Sequence, residues 1–251
     1  MPNQLSQFAR HYSQKVVCLM LTTAVAITSF AQSSGGEMVA LTIGQQLLRV
    51  PTPVGFVETS RRNTELWDTA LSFSAGDARI VAHFVLKSDL TKYESGADTV
   101  FKNFLLVQTP KRAEGLVATQ AQFERLRAGT IAMQAQLASQ LEPRLAAEID
   151  RVSKAFSSNQ AAEIQVKIDQ IVPVSIDKDQ PRTLLFTWLA RGSVTENKST
   201  KSQTMVVSAA YCFVNGKELM LIAYRHFSTP KDLHEARQQV DLWSNALLAS
   251  N

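Results

Sequence analysis

The sequence predicts an α+β fold: an antiparallel sheet packed against a long, Pro-kinked helical segment and a C-terminal helix. Three observations carry this. Runs of branched and aromatic residues fall in two blocks, one before Pro110 and one after Asn159, instead of alternating with helical patterns, which argues against βαβ units. Between the blocks, apolar residues recur at three- and four-residue steps, the period of a helix with one buried face. Near the end, Asn215-Gly216 separates two strand patterns and has the composition of a two-residue hairpin turn.

In chain order, the first 15 residues contain Arg10 and Lys15 and no acid, and Val16 to Phe30 is an apolar run diluted by Thr22, Thr23, Thr28 and Ser29. A helix needs roughly 20 apolar residues to cross a bilayer, so this run is too short to stay in one. Ser29-Phe30-Ala31 supplies the small residues that signal peptidase reads, and residues 1–31 are expected to be a cleavable signal peptide. Cys18 lies inside the apolar run, a poor place for acylation, and no Arg-Arg pair precedes it, which points to the general secretory route. The product is then periplasmic or secreted, with no stable transmembrane segment after cleavage.

Removing 31 of 251 residues leaves 220, with residues 32–37 as a flexible linker and 38–251 as one α+β domain. Of the two cysteines only Cys212 survives, so no internal disulfide supports the fold and the core must suffice. The leader takes two of the 26 basic residues and none of the 22 acidic ones, so the formal charge drops from +4 to +2. That is close to neutral and excludes a strongly basic nucleic-acid surface.

Met38 to Val50 reads as a strand or strand pair, ended at Pro51-Thr52-Pro53-Val54-Gly55 by proline's missing donor. Arg79 to Leu86 reads as a strand with Ile80, Phe84 and Leu86 on one face and His83 on the other, and Val100 to Thr109 as a further strand closed by Pro110. Thr119-Gln120-Ala121-Gln122 is a capping box that opens a helix. Its stripe runs through Phe123, Leu126, Thr130, Met133, Leu137, Leu141, Leu145, Ile149, Val152 and Phe156, interrupted by Pro143, so one kinked helix or two helices are expected over 119–157. Strands follow at Ile164 to Ile176 and Arg182 to Arg191, with a polar mobile loop at Thr195 to Gln203 and the hairpin arms Met205 to Val214 and Glu218 to Tyr224. Thr229-Pro230-Lys231-Asp232 caps a last helix whose apolar stripe is Leu233, Ala236, Val240, Trp243 and Leu247.

Two stretches carry a resemblance: Leu48-Arg49-Val50-Pro51-Thr52-Pro53-Val54-Gly55-Phe56, and the run from Val214-Asn215-Gly216-Lys217 to Trp243. In these the chain resembles PsbP-like exported proteins. The resemblance implies a domain opened by a strand entering a Pro-x-Gly-Phe corner and closed by a hairpin with an Asn-Gly-Lys turn followed by a helix. It implies accessory proteins without a common chemistry, so no catalytic residue is carried over. The helical segment after Thr119 is longer than that pattern has.

Chemistry-bearing residues are sparse. His83 on its strand, with Asp68 or Asp77 brought near it by the sheet, is the candidate for a hydrolase or metal-dependent enzyme; a strand histidine hydrogen-bonded to a neighbour is the plainer expectation. His226 and His234 are candidate metal ligands, but a zinc site wants three or four and His234-Glu235-Ala236-Arg237-Gln238 lacks a zincin helix's second histidine. Asp177-Lys178-Asp179 is half a calcium loop and otherwise a solvated turn before Pro181. Cys212 reads as a buried inert thiol, and the mixed charges from Arg61 to Asp68 as a solvated loop. The chain has no nucleophile elbow, P-loop, Gly-x-Gly-x-x-Gly or Cys-x-x-Cys pattern, and no cofactor is implied. The expectation is a non-catalytic exported module that binds a protein or small ligand in the cell envelope, with Leu137 and Leu141 on the helical stripe as candidate contacts and core packing as the plainer use of that stripe.

Overall fold

The computed structural model describes residues 37–72, 74, 76–97, 99, 101–134, 164–196 and 199–251. It has the expected α+β architecture, with antiparallel sheets and a C-terminal helix. The strands are β1 (Met38–Ile43), β2 (Gln46–Pro51), β3 (Phe56–Glu58), β4 (Ala78–Leu86), β5 (Asn103–Pro110), β6 (Ile164–Gln180), β7 (Thr183–Glu196), β8 (Ser199–Val214) and β9 (Lys217–His226). The helices are α1 (Thr64–Ser72), α2 (Lys87–Glu94), α3 (120–134) and α4 (Pro230–Ala249). Seven strands form one antiparallel sheet in the order β3-β4-β5-β9-β8-β7-β6, while β1 and β2 make a separate hairpin.

The local signals translate into geometry. Asn215 and Gly216 take φ of 48° and 75°, and Val214 pairs with Lys217 across the turn, as a twisted hairpin requires. Thr119 and Gln122 exchange the two capping-box bonds: the Thr119 amide donates to Gln122 Oε1 at 2.7 Å, and the Gln122 amide to Thr119 Oγ1 at 3.3 Å. At α4, Thr229 is the cap, Pro230 opens the helix, and Asp232 Oδ2 accepts from the Thr229 amide at 2.8 Å.

Several readings are corrected. The described residues of the segment from Thr195 to Gln203 are strand and not loop: Gly192 pairs with Gln203 and Glu196 with Ser199, so β7 and β8 pair along their length despite polar side chains. Arg61 to Asp68 runs into helix α1, whose Asn63 Oδ1 accepts from the Leu66 amide at 3.0 Å as an N-cap. In β4 a bulge between Ile80 and Ala82 shifts the alternation by one, so Ile80 faces away from Phe84 and Leu86. In α3, Thr130 is buried on the stripe as expected, but Met133 is 46% exposed, and Ile131 and Gln134 turn inward in its place. At about 100° per residue Met133 lies about 80° from Phe123, whereas Gln134 lies about 20° from it. The rest of the 119–157 stripe, with Pro143, Leu137 and Leu141, lies outside the described residues.

The sheet's two faces differ. On one, Phe84, Leu105, Val107, Leu185, Cys212, Leu219 and Leu221 meet Val240, Trp243 and Leu247 of α4 and Leu48 and Val50 of β2. Trp243 packs edge-on against Phe84 at 5.5 Å and donates from Nε1 to the Pro51 carbonyl at 2.8 Å, joining helix, sheet and hairpin. Ion pairs fasten the same helix to the sheet, Arg237 to Asp177, Lys178 to Asp241, and Arg225 to Asp232 and Glu235. Asp179 pairs with Arg127 of α3, so the Asp177-Lys178-Asp179 run is a strand end with each side chain paired, not a solvated turn. The opposite face carries α1 and α3.

Candidate functional site

The side chains pointing away from α4 build an aromatic face from residues far apart in sequence. Strand register sets them in rows: Phe104, Tyr224, Val207 and Trp188 lie opposite one another across β5, β9, β8 and β7. Beside them run Leu106, Ile222, Ala209 and Phe186, then Gln108, Met220, Tyr211 and Leu184. Phe104 stacks on Tyr224 at 4.8 Å with planes 10° apart, and Phe186 contacts Trp188 at 4.8 Å and Tyr211 at 5.7 Å. Trp67 of α1 and Ile131 of α3 pack onto this cluster from their two helices. Leu106, Ala209 and Ile222 are buried beneath, while Phe104, Trp188, Tyr211, Met220 and Tyr224 remain half-buried.

The polar atoms on this face are few. Trp188 Nε1 donates to Gln134 Oε1 at 2.9 Å, and the buried Gln134 Nε2 has no partner among the described residues. Burial pushes the Tyr224 hydroxyl up to about 12, and no hydrogen bond among the described residues reaches it. Tyr211 is raised as well, by burial first and then by the charges of Asp77 and Glu218. Both phenols are therefore protonated donors at neutral pH. The surface can stack planar or aliphatic groups and offer hydroxyl and amide donors.

His83 stands at the β4 side of this face, 5% exposed, with its ring edge-on to Phe104 at 5.9 Å. Its Nδ1 lies 3.0 Å from the Oγ1 of buried Thr59, and burial lowers its pKa to about 4, so it is neutral at pH 7. Asp68 on α1 and Asp77 before β4 are exposed, and among the described residues neither is hydrogen-bonded to His83. Glu58, the neighbouring carboxylate on β3, accepts from the Ser60 amide at 2.8 Å. The structure thus pairs His83 with a hydroxyl and does not gather the acids around it. His226 Nδ1 lies 3.0 Å from Ser228 Oγ, and His234 is exposed on α4. Among the described residues no group of three or more His, Cys, Asp or Glu side chains is placed to hold a metal ion. Cys212 is fully buried, and burial pushes its thiol up to about 12, which suits an inert core residue.

Sequence reading missed the aromatic face because its members are joined only by register; Phe104 and Tyr224 sit in different blocks of the chain. A usable signal existed within strands, where Phe186 and Trp188, and Met220, Ile222 and Tyr224, alternate with small or aliphatic neighbours.

No protein-family model and no curated protein matches the chain. Among solved structures it is similar to the 1.9 Å crystal structure of the Saccharomyces cerevisiae Ran-binding protein Mog1p, with a TM-score of 0.30 and 11% identity over 86% of this chain and 90% of that chain.

Proposed function

We propose that this chain is a non-catalytic, exported binding module that holds an apolar or aromatic ligand against the aromatic face of its sheet. One observation carries the reading: large rings stay half-buried across the middle of a sheet whose other face is sealed, and the Tyr224 hydroxyl beside them has no hydrogen bond among the described residues. Rings left only partly covered on a sheet face offer apolar area that a ligand can bury further. The export half rests on the N-terminal pattern of residues 1–31, and the PsbP-like kinship on the Pro-Val-Gly-Phe corner and the Asn-Gly-Lys turn.

The hydrolase alternative has less support, since a general base needs its proton-transfer partner within hydrogen-bond reach and His83 faces Thr59 and Phe104. Titration with the neutral dye N-phenyl-1-naphthylamine tests the binding reading. Saturable brightening is expected, with loss of roughly tenfold in affinity in Met220→Glu, which places a charge among the rings. Absence of saturable binding, or an unchanged affinity in Met220→Glu, removes the proposal. Amino-terminal sequencing of the native protein tests export: a start after Ala31 supports it, and a retained Met1 contradicts it.

A further inference from the structure

At the end of the sheet where β1 turns into β2 and β8 into β9, a short loop holds two aliphatic side chains in water. Leu116 is 63% and Val117 76% exposed. A connecting loop has no need of this, and a mobile one would fold such residues back. This loop is held from beneath. Lys217, only 4% exposed, donates from Nζ to the carbonyls of Glu114 at 2.8 Å and Leu116 at 2.6 Å. The Ala118 amide donates to the Gly216 carbonyl at 2.8 Å, and Glu114 accepts from Arg79 Nε at 2.7 Å. Two glycines make room: a Cβ on Gly44, whose φ is 60°, would fall 2.0 Å from the Glu114 oxygen, and one on Gly216 2.6 Å from Val117 Cγ1.

The charges around this platform are mostly positive. Lys111 and Arg112 precede the exposed pair and are exposed, Lys111 Nζ donating to the Gly76 carbonyl at 3.1 Å, and Arg182 is exposed at the adjoining strand turn, where its Nε donates to the Phe213 carbonyl at 3.2 Å. Of the nearby carboxylates, Glu114 is taken by Arg79, and Asp77 and Glu218 remain. Glu218 lies within reach of the Arg112 charge.

We propose that the Leu116-Val117 platform is a peripheral docking site for an anionic lipid surface, with the two aliphatic side chains entering the headgroup boundary and Lys111, Arg112 and Arg182 facing the lipid phosphates. An apolar tip ringed by cations is the arrangement that combines acyl-chain burial with attraction to anionic headgroups. The platform is prefixed, so little loop freedom is lost on contact. Two aliphatic side chains are too small an apolar contact for a stable dimer, which favours a lipid surface over a second copy. This inference is independent of the aromatic face.

Co-sedimentation of the purified protein with vesicles tests it. The protein should sediment with phosphatidylglycerol-containing vesicles more than with pure phosphatidylcholine, and high salt should weaken the binding. Leu116→Ser with Val117→Ser should weaken it by roughly tenfold from the apolar area withdrawn, while the thermal midpoint and dye binding at the aromatic face stay as in the parent. Arg112→Glu should weaken binding to anionic vesicles alone. Equal sedimentation with both lipids, or full binding by the double serine variant, overturns the proposal; so does loss of a protein partner in that variant with lipid binding intact, which would make the platform a protein contact.

Discussion

The two faces of the seven-stranded sheet are built from alternate residues of the same strands, yet they have opposite characters. Leu219, Leu221 and Ala223 of β9 are fully buried under α4. Their neighbours Met220 and Tyr224 lie among rings on the other face and stay half-buried. The α4 face is mostly aliphatic, closed by Trp243 and Leu247 and clamped by ion pairs around the helix. The opposite face is aromatic and carries a hydroxyl and an amide nitrogen without hydrogen-bond partners among the described residues. A period of two lets one strand serve an aliphatic core and an aromatic face at once, without a compromise in either set of side chains.

The comparison can be broken most forcefully at Trp243. Trp243→Ala should cost about 3–5 kcal/mol in urea unfolding, because it empties a core site and orphans the Pro51 carbonyl; a cost under about 1 kcal/mol would mean the α4 face is not the core. Next comes pH. His83 has a folded pKa near 4 against 6.5 unfolded, so the unfolded chain binds a proton first on acidification and stability falls as pH drops from about 6.5 to about 4. About 3 kcal/mol is at stake, and His83→Gln should flatten that part of a denaturation profile; an unchanged profile would show that His83 is solvated. A smaller effect belongs to Asp232. Burial raises its carboxyl, but the Ser228 and Thr229 amides and the Arg225 guanidinium outweigh this and hold it below the usual carboxylate range. Its contribution is thus complete above that range and lost as pH falls through the lowered value. Asp232→Ala should cost about 1 kcal/mol at neutral pH, as a shift in the urea midpoint. Smallest is Tyr224→Phe, expected to change stability by less than about 0.5 kcal/mol because its hydroxyl has no bond among the described residues to lose. A large loss there would make the aromatic face a second core.

The sequence made the sealed face legible and left the aromatic one obscure. Alternation marked β4, β5 and β7 to β9, the Asn215-Gly216 pair located the hairpin, and Thr229-Pro230 with Asp232 located α4, because each signal is contained within a few residues. Helix α1 was readable in principle from Asn63 followed by Glu65, Leu66 and Ala70. Helix α2 was not: it follows β4 directly, has no side-chain cap, and buries only Leu90. The bulge before Ala82 is likewise invisible in sequence, since inserting one residue leaves composition unchanged while reversing which side chains share a face. The candidate site depended on register between β5, β9, β8 and β7, information no local pattern contains. His83 attracted attention as a lone titratable residue, but its surroundings, Thr59 and Phe104, come from other strands and hold it neutral.

The division of labour between the faces can be tested by hydroxyl-radical footprinting of the native chain, with and without saturating N-phenyl-1-naphthylamine. Tyr224, Met220 and Trp188 are expected to oxidise readily in the free protein and to be shielded by the dye, while Trp243 stays unreactive in both states. Oxidation of Trp243 to the same extent as Trp188, or dye that shields neither Tyr224 nor Met220, would contradict the account.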